Sequence, residues 1–406
     1  MLYKAPLATL RAEEHEMNDE GRSAAIAVPS TPERSANERA ILNMLRQDGP
    51  TPAAEIARRM GLSAQSASVI TRKLEAEGLV LRGSPVRGKI GKPSTPIQLD
   101  PAGAFAIGLR IGRRRSDLIL IDLEGRVLGQ KTATYAYPTP ASCLDLARAG
   151  LAEFKQMLSA DQHERIAGIG IGMPFDLWNW LDLLGAPRAE MQAWHDFPAQ
   201  DAFAEATGLP AFVGNDGSLA CHGEHLFGGA RHLPDFGYIF VGAFLGGGIV
   251  LDGRLYLGAG GNAGALASLP VPGADGRMTQ MLEVASIHQL ERRLEARMPG
   301  NGQRLLQQPA WAGFDDLEAT WIEETARQLA SATVTLVAVL DLPSVVIDGS
   351  FPAEVRQKLI ARVETLVAQV DTRGIRRPQI VSGTLGITAC ALGAGYRPIV
   401  ARYLVE

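Results

Sequence analysis

Two groups of side chains have the types and spacing to do chemistry. Between Ala36 and Gln98, ten arginines and lysines face five carboxylates, a net charge of +5 in a chain whose total is −4. Gln65, Ser66, Ser68, Thr71, Arg72 and Lys73 fall within one short stretch of helical pattern. They combine short polar groups with a guanidinium fork, which suits base edges and phosphates. Arg87, Lys89 and Lys92 lie in "PVRGKIGKPS", whose small residues let cations enter a minor groove. The chemistry expected is recognition of duplex DNA; a solvated basic face on a protein-interaction module is the alternative. The second group is "IGLRIGRRRSD", residues 107–117. A strand, a turn at Gly112 and a returning strand form a hairpin of the kind that can hold nucleotide phosphates. Such a turn needs an acid, small residues and a hydroxyl, and this one has Arg110, Arg113, Arg114 and Arg115. Its uses reduce to gripping an anion, sitting in solvent, or pairing with acids across an interface.

The first group needs three helices and a hairpin to position it. "NERAILNMLRQDG" puts Ile41, Leu42 and Leu45 on one face and ends on a glycine. "TPAAEIARRMG" has Thr51 as a cap and Pro52 at the first helical position. "LSAQSASVITRKLEAEG" starts at Ser63 and is expected to bury Val69, Ile70 and Leu74. Two short strands around a basic loop then complete a winged helix-turn-helix over residues 36–100. Residues 1–35 read as a mobile tail, too acidic in "AEEHEMNDE" to serve as a DNA-contacting arm.

From Ala102 onward, strands such as "FAIGLRIG", "SDLILIDLEG", "IAGIGIGMP" and "PSVVIDGS" alternate with helices. This argues an α/β domain of mixed sheets in two lobes over residues 102–406. The glycine clusters at 168–172 and 246–248 lack the spacing of a dinucleotide fingerprint. Hydrophobic residues make up 46% of the 406 and glycines number 44, enough for two or three compact domains. Three widely spaced cysteines offer no disulfide framework. With no signal peptide and no membrane-length apolar run, a soluble cytoplasmic protein is expected.

The motifs "GIGIGMP", "GNDGSLACHGEHLFGGAR", "LGGGIVLDGRLYLGAGGNAGALASLPV" and "VVIDGS", following a winged helix, resemble the ROK family of sugar kinases and sugar-responsive repressors. The resemblance covers about residues 36–403. It implies an actin-like, two-lobed ATPase fold with a sugar cleft, a homodimer or homotetramer, and membership of the repressor branch. Against the family pattern, Arg110 takes the place of the acid in the first phosphate turn, and Arg113 and Arg114 replace its small residue and hydroxyl. The second phosphate loop reads Gly242-Ala243-Phe244-Leu245-Gly246-Gly247-Gly248, without its hydroxyl. The family's zinc ligands are absent from Gly264–Ser268 and from "PGADGRMTQMLE", so no metal and no cofactor is expected. His222 and His225 are read as helix surface.

The resemblance assigns sugar contacts to Asn215, Asp216 and Glu283, with Asn262 a further candidate, while Ala265 and Ser268 replace two others. An Asn-Asp turn between strand and helix is the alternative for the first pair. The stretch from Met173 to Phe197, with Trp178, Trp180, Trp194, His195 and Asp196, reads either as a ligand-shaping lid or as core. The function expected is a DNA-binding repressor that binds operator DNA and a sugar or sugar-derivative effector, without catalytic residues. The alternatives are an active ATP-dependent sugar kinase with a regulatory head, or a regulator answering to a protein partner.

Overall fold

The computed structural model describes residues 34–85, 95–175, 177–179, 185–273, 276–302, 305 and 311–405. The acidic N-terminal segment, the wing cations Arg87, Lys89 and Lys92, and Trp180 lie outside them. The chain opens with helices α1 (Ala36–Asp48), α2 (Ala53–Arg59) and α3 (Ala64–Ala76). Strands β1 (Thr51–Pro52), β2 (Val80–Arg82) and β3 (Pro96–Leu99) form a small sheet in the order β1-β3-β2. Local chemistry sets the helix starts. Ser35 and Glu38 make a reciprocal capping box on α1, and Ser63 accepts from the Ser66 amide on α3. Gly49 ends α1 with φ +76°. Thr51 does not cap α2: it pairs with Ile97 of β3 and donates its hydroxyl to the Gly49 carbonyl at 3.0 Å. Sheet pairing takes the residue that the local pattern assigns to a cap.

Two five-stranded sheets follow with the same topology. The first uses β4 (Phe105–Ile111), β5 (Arg115–Asp122), β6 (Val127–Thr134), β7 (Ile166–Met173) and β8 (Ala211–Asn215). Its order is β6-β5-β4-β7-β8. The second uses β9 (Phe236–Val241), β10 (Leu245–Leu251), β11 (Arg254–Leu255), β14 (Ser344–Gly349) and β15 (Gln379–Ser382), in the order β11-β10-β9-β14-β15. In each sheet the first three strands are antiparallel and the last two join in parallel. A short hairpin of β12 (Pro270–Pro272) and β13 (Met278–Gln280) stands apart. The body is thus two lobes on one repeated plan, and the β4–β5 and β9–β10 turns are equivalent positions in it.

The helices of the first lobe are α4 (Pro140–Gln156), α5 (Ala160–His163), α6 (Arg188–Gln192), α7 (Ala199–Thr207) and α8 (Asp216–Phe227). Those of the second are α9 (Leu282–Ala285), α10 (Ile287–Arg297), α11 (Asp315–Leu340) and α12 (Ala353–Gln369), and α13 (Ala389–Tyr403) ends the chain. Helices α8 and α13 cross where Gly223 and Gly393 allow backbone contact; a Cβ at either would run into the Ala389 or Leu219 carbonyl. This crossing buries α8, so His222 is 8% exposed and lies inside, not on a helix surface.

Candidate functional site

On α3 the residues at 67, 71 and 74 share a face, and all three are buried. Thr71 is 2% exposed and donates its hydroxyl back to the Ala67 carbonyl at 2.8 Å. It cannot contact DNA, which corrects its place in the reading set. Val69 stands about 200° around the helix from Ala67 and is 55% exposed, which corrects its assignment to the core. The outward face is Gln65, Ser66, Val69 and Arg72, with Ser68 half-buried at its edge. An exposed valine here is the apolar group suited to a thymine methyl.

Four of the ten cations of this region are paired with carboxylates. Lys73 pairs with Glu38 at 2.5 Å, and Arg58, Arg59 and Arg82 pair with Glu55, Asp48 and Glu75. Lys73 therefore ties α3 to α1 and is not free for phosphate. Arg72 bonds only within α3, to the Ser68 carbonyl at 3.2 Å and hydroxyl at 3.0 Å. Among the described residues it has no carboxylate partner, so its fork can turn to a ligand at little cost.

The two lobes meet around a small cavity of about 20 Å³, lined by Arg110, Gly112, Arg113, Pro174, Asp216 and Phe244 among others. A space of that size holds about one water. Asn215 ends β8 and caps α8, its Oδ1 accepting from the amides of Gly217 (2.9 Å) and Ser218 (3.1 Å). Only its amide Nδ2 is left for a ligand. Asp216 stands at the first turn of α8 beside the cavity. Burial raises its carboxyl pKa, opposed by the nearby Arg110 guanidinium. Gly217 lies against Gly246 and Gly247, so the Asn-Asp pair and the second glycine loop are brought together.

The arginine hairpin faces acids. Arg110 reaches Asp117 at 3.5 Å, and Arg115 reaches the same carboxylate at 2.6 Å. Arg113 and Arg114 cross to the second lobe and meet Glu291 of α10 at 2.5 and 3.4 Å. His288 joins that carboxylate at 3.3 Å. Burial works against the Glu291 carboxylate, but His288, Arg113 and Arg114 outweigh it and hold its pKa below the usual range. Burial also pulls the Arg113 pKa down. A guanidinium starts so high that it stays charged regardless, so the carboxylate's shift is the informative one. Of the uses open to this hairpin, pairing across an interface is the one observed. Phe244, in the β9–β10 turn, packs against the cores of both lobes.

The other candidates do not join this cavity. Asn262 is exposed, and Glu283 lines a separate open groove of about 610 Å³ with Arg277, Arg293, Glu324 and Arg327. Trp194 is 2% exposed, belongs to the first lobe's core and donates to the Pro138 carbonyl at 3.0 Å. Trp178 packs beside it and meets the His195 ring edge-on at 5.0 Å. The core reading holds for Trp194. Cys143, Cys221 and Cys390 are buried free thiols. Among the described residues no three His, Cys, Asp or Glu side chains are grouped to hold a metal, and no helix is long and apolar enough to cross a membrane.

A family model, the ROK family, matches residues 106–396, and a winged helix-turn-helix DNA-binding model matches residues 34–80. The chain belongs to the ROK family. An uncharacterised protein of Sinorhizobium fredii, y4fQ, is 27% identical over 91% of this chain and 92% of its own length. The N-acetylglucosamine repressor of Escherichia coli is 26% identical over 59% of this chain and 58% of its own. The chain thus spans under three fifths of that relative. A crystallised ROK family transcriptional regulator, a homologue of the E. coli MLC protein, superposes with a TM-score of 0.64 at 22% identity. That superposition covers 90% of this chain and 96% of the other.

Two groups that ROK membership implies do not fit the residues here. A magnesium-bound nucleotide needs carboxylate and open backbone at the first turn. Arg110 stands there instead, its guanidinium carbon 3.1 Å from where a Gly112 Cβ would be, and the buried Arg113 side chain fills the approach. Zinc needs about four nitrogen or sulfur ligands, and the sequence from Gly264 to Met281 contains neither His nor Cys.

Proposed function

We propose that this protein is a DNA-binding transcriptional repressor whose ROK body senses a sugar or sugar derivative and transfers no phosphoryl group. The observation that carries the reading is the outward face of α3, where Gln65, Ser66, Val69 and Arg72 are exposed on a winged helix. Kinship with an N-acetylglucosamine repressor supports a sugar effector. A homodimer or homotetramer would present two such helices to a two-fold operator. The wing cations Arg87, Lys89 and Lys92 would add minor-groove and phosphate contacts. Asp216, with the free amide of Asn215, is the proposed effector anchor. Asn262 and Glu283, which lie outside this cavity, would join the anchor only after a rearrangement of the second lobe towards Asp216. The winged helix and body would occupy residues 36–100 and 102–406.

The test is selection of bound duplexes from a random-sequence DNA library by the full chain, with a sugar panel then added to the recovered complex. Recovery of one sequence family whose binding a sugar changes supports the reading. Failure to enrich any sequence overturns it. Incubation with ATP, magnesium and the same panel is expected to yield no phosphosugar, and turnover would restore the kinase alternative.

A further inference from the structure

The winged helix is joined to the body through a shared core and not through a bare linker. One hydrophobic cluster contains Ile41, Leu42 and Leu74 of the head together with Ile121 of β5 and Tyr396 and Val400 of α13. At the centre of this seam, Arg39 of α1 donates from Nη1 to the Leu404 carbonyl at 3.0 Å and from Nη2 to the Ala401 carbonyl at 3.2 Å. These are carbonyls at the C-terminal end of α13, which lack partners within the helix and carry the negative end of its dipole. Arg34 adds a guanidinium over the Tyr403 ring at 5.2 Å.

The other end of α13 belongs to the cleft. Its residue Cys390 lines the interlobe cavity beside Asp216 and Arg110. The segment leading into it is held by the second lobe: the Gly386 amide donates to Asp348 of β14 at 2.8 Å. Between its ends, α13 meshes with β4 and β7 at Gly108, Gly170 and Gly395, where no Cβ fits without meeting backbone. The helix has 15 residues and spans about 22 Å, and Pro398, within its last two turns, donates no backbone hydrogen bond.

We propose that Arg39 is the positioning residue that fixes the DNA-reading head on α13, and that α13 thereby ties operator affinity to the state of the interlobe cleft. This rests on the repressor reading above. Two heads on one operator must match two half-sites, so a shift of the first lobe, with α13 locked to its sheet, against the second lobe changes their fit to DNA. Coupling of this kind is a free energy between two positions, and a double-mutant cycle measures it directly.

The experiment uses the full chain and a duplex recovered by that chain from the random library. Glu291→Arg places a third guanidinium against Arg113 and Arg114 and forces the lobes apart; Glu291→Gln takes its place if the first variant does not fold. Dissociation constants are measured for the wild type, the Glu291 variant, Arg39→Met and the double variant. The Glu291 variant is expected to change DNA affinity at least about fivefold, and the change to shrink to within about twofold in the Arg39→Met background. Arg39→Lys, which cannot span both carbonyls, is expected to fall between. Additive effects, or a Glu291 variant that binds as wild type, overturn the proposal, because a merely structural Arg39 lowers stability without removing the response. If the wild type enriches no duplex, it is the repressor reading that fails.

Discussion

Arg113, at the tip of the β4–β5 turn, and Glu291, on α10, form a buried ion pair across the two lobes, with side chains 4% and 11% exposed. They are 178 residues apart in sequence. The residue that removes the phosphate turn from one lobe is thus the residue that binds that lobe to the other. The arginines of this turn are committed to carboxylates, Arg110 and Arg115 to Asp117, and Arg113 and Arg114 to Glu291.

Removing one partner of this pair should cost more than removing both. Glu291→Ala leaves Arg113, Arg114 and His288 around an empty position, and breaking a buried pair costs about 3–5 kcal/mol. Arg113→Met combined with Glu291→Leu removes the buried pair and keeps apolar volume, leaving Arg114, 25% exposed, to turn to solvent. Urea denaturation is expected to show the double variant as the more stable of the two. Equal losses would mean that the pair is solvated in solution.

On α3, substitutions should separate reading from support. Arg72→Ala is expected to weaken DNA binding and to lower the dependence on log salt by about one unit. Val69→Ser should change base preference at one position of the recovered sequence. Thr71→Val and Lys73→Met should leave DNA affinity near wild type. Lys73→Met should instead lower stability by roughly 1 kcal/mol, because the buried Glu38 loses its nearest cation and keeps the Ser35 amide at 3.3 Å and Arg34 at 3.9 Å. A Lys73→Met variant of full stability with weakened DNA binding would return Lys73 to the reading set.

The parts legible in the sequence are those governed by local chemistry. Ser63 and Gly49 mark helix ends by local chemistry, where Thr51 is diverted by pairing in a sheet, and alternating strands and helices disclose the two-lobed body. Val69 and Thr71 exchange places because helical phase, not apolar character, decides which side of α3 is buried; counting from Ala67 at 100° per residue separates them. Glu291 carries no local signal, since its role exists only once α10 faces the hairpin. His222 is buried by the approach of α13, and the paired Gly223 and Gly393 are the one trace of that approach. Asn215 is a helix cap first and a ligand candidate second, so the local Asn-Asp reading accounts for its carbonyl oxygen and leaves the amide open.

The same buried histidines make stability depend on pH in a defined direction. His222 and His225 on α8 face Arg46 of α1, and His222 also faces Arg397 of α13. Burial first, then these cations, lowers their pKa values from 6.5 to about 3 and about 4. Between those values and 6.5 the unfolded chain binds protons that the folded chain refuses, so stability falls as pH falls through that window. Asp348 acts oppositely. Burial raises its pKa from 3.8 to about 6 against the pull of Arg356, so the folded chain holds a proton there that the unfolded chain has lost. Its contribution to stability grows as pH falls from about 6 towards 3.8. The two histidine shifts are larger than that of Asp348, so these three groups together are expected to lose stability on acidification from pH 7 to 4. Replacing both His222 and His225 by Gln should flatten or reverse that loss. Asp348→Asn should deepen it, since the variant's stability relative to wild type is greater at pH 7 than at pH 4. Denaturant midpoints across this range decide the matter, and a histidine double variant with the wild-type slope would mean that the seam between head and body admits water.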